Sequence, residues 1–308
     1  MENIYICPKC NNQRSLENCS CGYKINNLDK IYHFLDDSNY TSDFDKIGKF
    51  YNTDKENLIL DAVAENINNV LNEGVVLDLG SGDGLFTNQL LKYNYKLISI
   101  DNSLVMLGKL INNVKNNHEN LRVLRADARN IPLIDCSVDL VIANNLLHLV
   151  DIPELVIKEM KRVLKTGGMY VQISDGQNSV IIKESSVYDE IINYYTSNYW
   201  KLMNEYGFKP KVYPNDFNMH LHIGKEFSFL KSNKTEEFKY SGILRIKDFF
   251  NKELFISEYS KIDIPDIIHK KVYDETRLLI EEEFGKDYVN LETRYTAISS
   301  SIIDIYKK

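Results

Sequence analysis

The sequence predicts an α/β protein built on a doubly wound, mostly parallel sheet. Two observations predict it. Between about residues 40 and 175, short apolar runs alternate with helix-period segments. The first of those runs ends in a glycine-rich turn, Gly80-Ser81-Gly82-Asp83-Gly84, which opens the next helix.

Taken in order, residues 75–79 form an apolar strand interrupted only by Asp78, and the helix after the glycine turn carries Leu85, Phe86, Leu90 and Leu91 on its inner face. Residues 96–100 form a second strand that ends at Asp101, followed by a helix over about 103–113. Residues 121–124 form a third strand that runs into Arg125-Ala126-Asp127-Ala128, and residues 138–143 a fourth, closed by Asn144 and Asn145. Pro153 then stands in the first turn of a helix, where its missing N–H costs nothing, and Lys165-Thr166-Gly167-Gly168 reads as that helix's glycine C-cap. Residues 169–173 are the fifth strand; five strands joined by crossovers make the doubly wound sheet. Beyond it, residues 185–206 read as a helix with the aromatic face Tyr188, Tyr195 and Tyr199, serving either core packing or a pocket lid. Residues 227–250 suggest two strands and a helix bearing Phe238, Tyr240, Phe249 and Phe250; Pro265 opens a helix to about Phe284, and residues 288–299 are expected to supply the last sheet strand. The polar stretch 25–43 reads as a linker.

The 308 residues suffice for one large domain with a small appendage, and 44% apolar with 26% charged residues is ordinary for a globular chain. A net charge of −7 argues against nucleic acid or an anionic membrane surface as partner. No run of about 18 apolar residues offers a membrane span, and the start MENIYICPKC lacks a signal-peptide pattern, so a cytoplasmic location is expected.

In an open α/β sheet, ligands bind beyond the carboxyl ends of the strands. The turn Asp78-x-Gly80-x-Gly82-x-Gly84 lets a ligand approach the backbone, and the N–H groups at the helix start favour an anionic group. A tight turn without a ligand is the plain alternative. The third glycine comes one residue early for a dinucleotide fingerprint, which argues against a nicotinamide oxidoreductase. Asp101 can accept both hydrogens of a ribose diol, or cap a helix through Asp101-Asn102-Ser103. Met106 can pack on adenine or in the core, and Asp127 can accept from an adenine amino group, with the Ala128 N–H reaching a ring nitrogen, or simply close a turn.

Together VLDLGSGDGLFT, ISIDNSLVML, LRADARNIPLIDCSVDLVIANNLLHLV and MKRVLKTGGMYVQIS, over about residues 75–174, resemble the successive motifs of class I S-adenosylmethionine (SAM)-dependent methyltransferases. The resemblance implies a Rossmann-like seven-stranded sheet with an antiparallel last strand. It places Asp78, Gly80, Ser81 and Gly82 around the methionine part of SAM, Asp101 on the ribose, and Asp127 and Ala128 at the adenine; Asn102, next to Asp101, and Met106 are further cofactor-binding candidates. Asn144 lies on the passage to the acceptor, and a helix over residues 44–51 closes over the cofactor with Tyr51 in contact. Asn145-Leu-Leu-His148 resembles the subgroup that methylates quinones and other small molecules, and the Asn-Pro-Pro-Tyr-type tetrad of amino-group nucleic-acid methyltransferases is replaced by Asn144-Asn145-Leu146-Leu147.

Methyl transfer is an in-line displacement at an activated sulfonium, so alignment supplies most of the catalysis. A base is needed only for a weak nucleophile; His148, beyond the fourth strand, is the candidate, with a structural histidine as the alternative. His220 and His222 alternate as on a strand.

Four of the five cysteines, Cys7, Cys10, Cys19 and Cys21, fall within the first 21 residues. The spacing suits a structural Zn²⁺ held by four thiolates, with free or redox-active thiols as the alternative, and some thirty residues bury too little core to fold unaided. Cys136 reads as incidental. CPKC…CSCGYKINNLDKIYHFLDD resembles the short zinc ribbon ahead of some bacterial methyltransferase domains, one group of which methylates ribosomal RNA. Residues 1–40 nevertheless carry Lys9, Arg14, Lys24 and Lys30 against Glu2, Glu17, Asp29, Asp36 and Asp37, a poor balance for gripping phosphates. The resulting expectation is a ribbon over 1–36 and a methyltransferase domain over 37–308, with a cap inside about 176–285, acting on a small, aromatic or largely apolar acceptor. An rRNA or tRNA methyltransferase is the second reading, and a non-catalytic SAM-binding protein the third.

Overall fold

The structure, a computed structural model, describes residues 3–35, 57–114, 119–175, 180–209, 219–251 and 264–308. The chain divides into two compact units: Met1–Gln177 with Asp216–Glu236 and Ser300–Lys308, and Asn178–Asn215 with Glu237–Ser299.

The first unit is built on a sheet whose centre is β5 (Glu73–Leu79), β6 (Asn94–Asp101), β7 (Leu121–Arg125), β8 (Val138–Asn144) and β9 (Leu164–Asp175), all mutually parallel. β14 (Ser301–Lys307) pairs antiparallel with β9, and β11 (Ser228–Lys234) antiparallel with β14. With these two the sheet reaches the expected number of seven strands. The N-terminal segment adds two more: β4 (Ile31–His33) lies parallel to β7, and β3 (Asn26–Leu28) antiparallel to β4, giving the order β11-β14-β9-β8-β5-β6-β7-β4-β3. Alternation along β5 shows why the sheet is covered on both faces. Leu77 and Leu79 enter one core with Ile98, Ile100, Val141 and the helix Pro153–Val163 (α4). Val76 enters the opposite core, with Leu97, Ile142 and the helices Asn57–Asn68 (α1) and Leu85–Leu90 (α2). The helix Leu104–Asn113 (α3) buries Leu107 and Leu110 against Val123 of β7 and Ile31 of β4.

The polar stretch 25–43 is not all linker. Asp29 and Lys30 both take left-handed backbone (φ +52° and +69°), the two-residue turn that closes a tight hairpin between β3 and β4. The short strands β1 (Tyr5–Ile6) and β2 (Gln13–Arg14) pair beside the cysteines. Tyr5 is fully buried, and its hydroxyl has no hydrogen-bond partner among the described residues. Tyr5→Phe, which deletes only that hydroxyl, is therefore expected to stabilise the fold by about 1 kcal/mol in urea denaturation; a loss of stability would show the hydroxyl to be satisfied.

Two boundaries differ from expectation. α4 ends at Val163, and β9 starts directly at Leu164. The glycines serve an irregularity in that strand: pairing with β8 skips from Val138↔Leu164 to Leu140↔Met169, and Gly167 takes φ +78°. Residues 288–299 do not complete the central sheet. Glu292–Ser299 (β13) pairs in the second unit, and the closing strand is β14, whose Ile303 and Ile305 are fully buried.

The second unit carries a three-stranded antiparallel sheet, β10 (Val180–Lys183), β13 and β12 (Phe238–Arg245), in the order β10-β13-β12. Its helices are α5 (Val187–Glu205), α7 (Ile246–Asn251) and α8 (Asp266–Phe284). Ile191, Tyr195, Tyr199 and Met203 of α5 make this unit's own core with Phe250, Val272 and Tyr288. Tyr195 meets Phe250 edge-on with ring centroids 5.0 Å apart. The aromatic face of α5 is thus spent on packing. The side chains of Phe238 and Tyr240 lie outside the described residues.

Candidate functional site

The glycine turn is pinned to β6 from below. The Gly80 and Ser81 N–H groups both donate to the Ile100 carbonyl, at 2.8 and 3.0 Å, and the Gly82 N–H donates to Asp101 Oδ2 at 2.9 Å. Asp101 Oδ1 accepts the Ser103 N–H at 2.8 Å. Asp101 is not the helix cap: Ser103 is, its Oγ accepting the Met106 N–H at 3.2 Å. Asp101 therefore stands at the tip of β6 holding the turn and the start of α3 together. Asn102 follows it, half-buried, its carbonyl accepting from the buried Arg125 Nε at 3.3 Å.

Ser81 is buried, and its hydroxyl has no partner among the described residues. An orphaned hydroxyl at this turn can donate to the carboxylate of an amino-acid ligand. Leu146, in the loop after β8, packs on Gly80, and the Met106 methyl lies 3.5 Å from where a Gly82 Cβ would stand. Met106 is itself buried.

Asp78 lies beneath the turn, pointing to the opposite sheet face from Leu77 and Leu79. It is 1% exposed, and Thr87 Oγ1 of α2 donates to its Oδ2 at 2.6 Å, with Ser99 Oγ 3.1 Å from the same hydroxyl. Burial pushes its carboxyl up to about 6; the Thr87 bond opposes the rise and the charge of Asp101 adds to it. The native state thus holds this proton more tightly than the unfolded chain, where the value is 3.8. The contribution of Asp78 to stability is complete below about pH 4 and is lost as pH rises through about 6. Asp78→Asn, which cannot ionise, should flatten the stability profile between those limits in urea denaturations across pH; an unchanged slope would refute the assignment.

At the tip of β7 the arrangement differs from expectation. Arg129 grips Asp127 as a fork, Nε 3.0 and 3.1 Å from the two oxygens and Nη2 2.7 Å from Oδ2, while the Arg129 N–H donates to Oδ1 at 2.8 Å. That fork engages both Asp127 oxygens within the loop itself. Arg129 was missed in the sequence, although its place two residues after the acid was the available signal.

Asn144 ends β8, half-buried, and Asn145 takes φ +53°. His148 is exposed on the short 3₁₀ turn Leu147–Leu149, anchored by the buried Leu147. His220 and His222 lie not on a strand but on the helix Met219–Glu226 (α6), where residues two apart diverge. His220 Nδ1 is 3.1 Å from Tyr306 Oη, and His222 Nδ1 is 3.3 Å from Glu154. Tyr51 and the expected helix over 44–51 lie outside the described residues.

The family described as "Methyltransferase domain" matches residues 77–172, from β5 to β9. Residues 77–172 are a methyltransferase domain. An uncharacterized chloroplastic methyltransferase of Arabidopsis thaliana is 33% identical over 131 residues, 39% of this chain and 37% of that protein. An rRNA adenine N-6-methyltransferase of Bacteroides fragilis is 34% identical over 89 residues, 29% of this chain and 28% of that protein. The chain thus spans about a third of the length of the curated relatives it matches. Among solved structures, a SAM-dependent methyltransferase from Aquifex aeolicus is similar at 22% identity and TM-score 0.45, over 63% of this chain and 94% of that one.

The four N-terminal cysteines converge. Their Sγ atoms all lie within 4.8 Å of one another, with Cys7–Cys21 at 3.7 Å, Cys10–Cys19 at 3.5 Å and Cys19–Cys21 at 3.4 Å. Thiolates about 2.3 Å from a tetrahedral metal stand roughly 3.8 Å apart, whereas a disulfide needs about 2.05 Å. The donor set and spacing therefore fit a tetrahedral thiophilic ion. Turns bonded from Asn11 N–H to Cys7 O and from Gly22 N–H to Cys19 O, both 2.9 Å, shape the two halves. Cys136 is exposed, with Lys308 Nζ 3.7 Å from its Sγ.

Proposed function

We propose that the protein transfers a methyl group from SAM to a small acceptor, and that the four-cysteine cluster holds a structural Zn²⁺. The observation that carries the first part is the turn itself: an orphaned buried Ser81 hydroxyl, with the Asp101 carboxylate at the next strand tip. SAM supplies an activated methyl on sulfur. The residues of this chain bind and align: Ser81 and the turn hold the amino-acid carboxylate, Asp101 the ribose diol, and the Ala128 backbone the adenine edge. Asn144 lines the approach of the acceptor. The acceptor's lone pair forms the new bond to the methyl carbon as the carbon–sulfur bond breaks, leaving neutral S-adenosylhomocysteine (SAH). Where the acceptor carries a proton, His148 is the proposed base. Alignment carries most of the rate, so His148→Ala should lower turnover by about 10²-fold only if that proton must leave in the same step.

The small acceptor is supported by the net charge of −7, by the acid excess of the N-terminal segment and by Asn144-Asn145-Leu146-Leu147 at the tip of β8. An RNA acceptor is the second reading, favoured by the similarity to the Bacteroides fragilis protein. Among the described residues, no helix is long and apolar enough to cross a membrane. Four thiols free to ligate metal fit a reducing compartment such as the cytoplasm.

Calorimetry decides the cofactor: one SAH per chain is expected, and no heat at millimolar SAH would overturn the reading. Incubation with methyl-labelled SAM and cell extract, followed by separation of RNA from small solutes, decides the acceptor. Label in the small-solute fraction is expected; label in RNA, with salt-sensitive RNA binding, would establish the second reading instead.

A further inference from the structure

The N-terminal segment is tied to both ends of the loop that carries Asp127 and Ala128. At the near end, β4 runs parallel to β7 with Tyr32 opposite Leu124 and His33 opposite Arg125, and the Phe34 N–H donates to the Arg125 carbonyl at 2.9 Å. At the far end, the Ile6 N–H donates to the Pro132 carbonyl at 3.0 Å, the Ile134 N–H donates to the Ile4 carbonyl at 2.9 Å, and Tyr5 forms a bridge with Leu133. The space between is filled: Tyr5 and Leu16 are buried with Ala126, Ile131 and Leu133, and Phe34 and Ala128 pack on the same cluster.

This clasp is continuous with the thiols. Cys7 follows Ile6 directly, and its N–H donates to the Asn12 carbonyl at 2.9 Å. The buried Arg14 of β2 donates to the carbonyls of Ser15, Leu16 and Tyr23, with its Nη1 4.0 Å from Cys7 Sγ. Apart from these bonds the segment has little of its own to close it: in the stretch 3–25, Tyr5, Cys7, Leu16 and Ile25 are the buried apolar residues, and Tyr5 and Leu16 belong to the core shared with the domain.

We propose that the four-cysteine segment is a clasp that positions the loop 126–133 for the adenine end of the nucleoside, so that Zn²⁺ and nucleoside bind with positive linkage. The inference rests on the SAM-binding reading above. Ile4, Ile6 and Phe34 are positioning residues, acting through the backbone of the loop. With the metal bound, the loop is held at both ends before the nucleoside arrives. With the metal gone, the segment opens, and nucleoside binding must also order the loop. Linkage is reciprocal, so the nucleoside must strengthen zinc binding by the same factor.

The test uses the full chain, zinc-loaded and after chelation, with metal content measured and secondary structure followed by far-ultraviolet circular dichroism. Calorimetry with SAH and with 5′-methylthioadenosine, which keeps the nucleoside but lacks the amino-acid end, is expected to show the same loss for both ligands on zinc removal, about tenfold. Saturating SAH should raise zinc affinity by that factor in a chelator competition. Ile6→Pro removes one N–H of the clasp and leaves the cysteines intact; it should retain one zinc per chain and still weaken both ligands. Equal affinities with and without zinc in folded protein, wild-type affinities in Ile6→Pro, or a chain that takes up no zinc would each overturn the clasp. If the zinc-free chain loses its secondary structure, the Ile6→Pro comparison decides. Failure of SAH to bind the zinc-loaded chain is a different result and would sink the SAM-binding reading itself.

Discussion

Asp101→Ala is expected to weaken SAH binding by about 10²–10³-fold. The carboxylate is proposed to accept both ribose hydroxyls, and hydrogen bonds to a charged acceptor contribute roughly 1.5–3 kcal/mol each. Even without a ligand it holds two N–H groups, those of Gly82 at 2.9 Å and Ser103 at 2.8 Å, so its loss also loosens the turn and the start of α3. Asp101→Asn keeps one acceptor oxygen and should lose about tenfold. A cycle pairing each variant with an SAH analogue lacking the ribose 2′-hydroxyl separates the two effects. On the proposed contact the analogue binds the alanine variant nearly as well as SAH does. If the analogue's deficit is the same in wild type and variant, Asp101 organises the turn and does not touch the ribose.

Gly84→Ala carries the largest expected effect on stability. Gly84 takes φ +78°, and a Cβ there would stand 2.4 Å from Leu110 Cγ and 3.0 Å from Leu110 Cα. The first distance demands a side-chain shift; the second involves backbone, so α3 itself would have to move. Left-handed strain costs roughly 1–2 kcal/mol and overpacking a close contact about 1–3, a loss of about 2–5 kcal/mol in all. Urea denaturation at pH 7 measures it. Leu110→Ala in the same chain should relieve part of the cost, because it vacates the side-chain contact but not the strain. A Gly84→Ala chain as stable as wild type would mean that α3 does not pack so closely on the turn.

The parts of the fold that were legible in the sequence are those written in local pattern. The five parallel strands are short apolar runs, and the glycine turn with Asp101 and Asp127 at successive strand tips follows from where those runs end. What escaped reading depends on partners far away in the chain. Ser301–Lys307 closes the sheet, yet nothing in its alternation distinguishes it from Glu292–Ser299, which pairs elsewhere. The hairpin Asn26–Leu28 and Ile31–His33 reads as polar linker until β7 provides the edge on which Ile31 is buried. His220 and His222 alternate like strand residues, but Ile223 and Phe227, four apart, commit the segment to a helix on α4. The buried pair Thr87 and Ser99 beneath Asp78 left no signature at all, since two hydroxyl residues twelve positions apart are unremarkable in a sequence.

The strand order β11-β14-β9 has a consequence for biosynthesis. β9 is translated first, β11 some fifty residues later, and the strand that belongs between them only after the whole second unit. Until Ser301–Lys307 has left the ribosome, two partners of one ladder each present an unsatisfied row of amides and carbonyls, the kind of edge on which nascent chains aggregate. Truncation ahead of residue 301 would make that transient state permanent. Shielding by a holdase chaperone during synthesis should matter more for this chain than for one whose strands arrive in the order in which they pair.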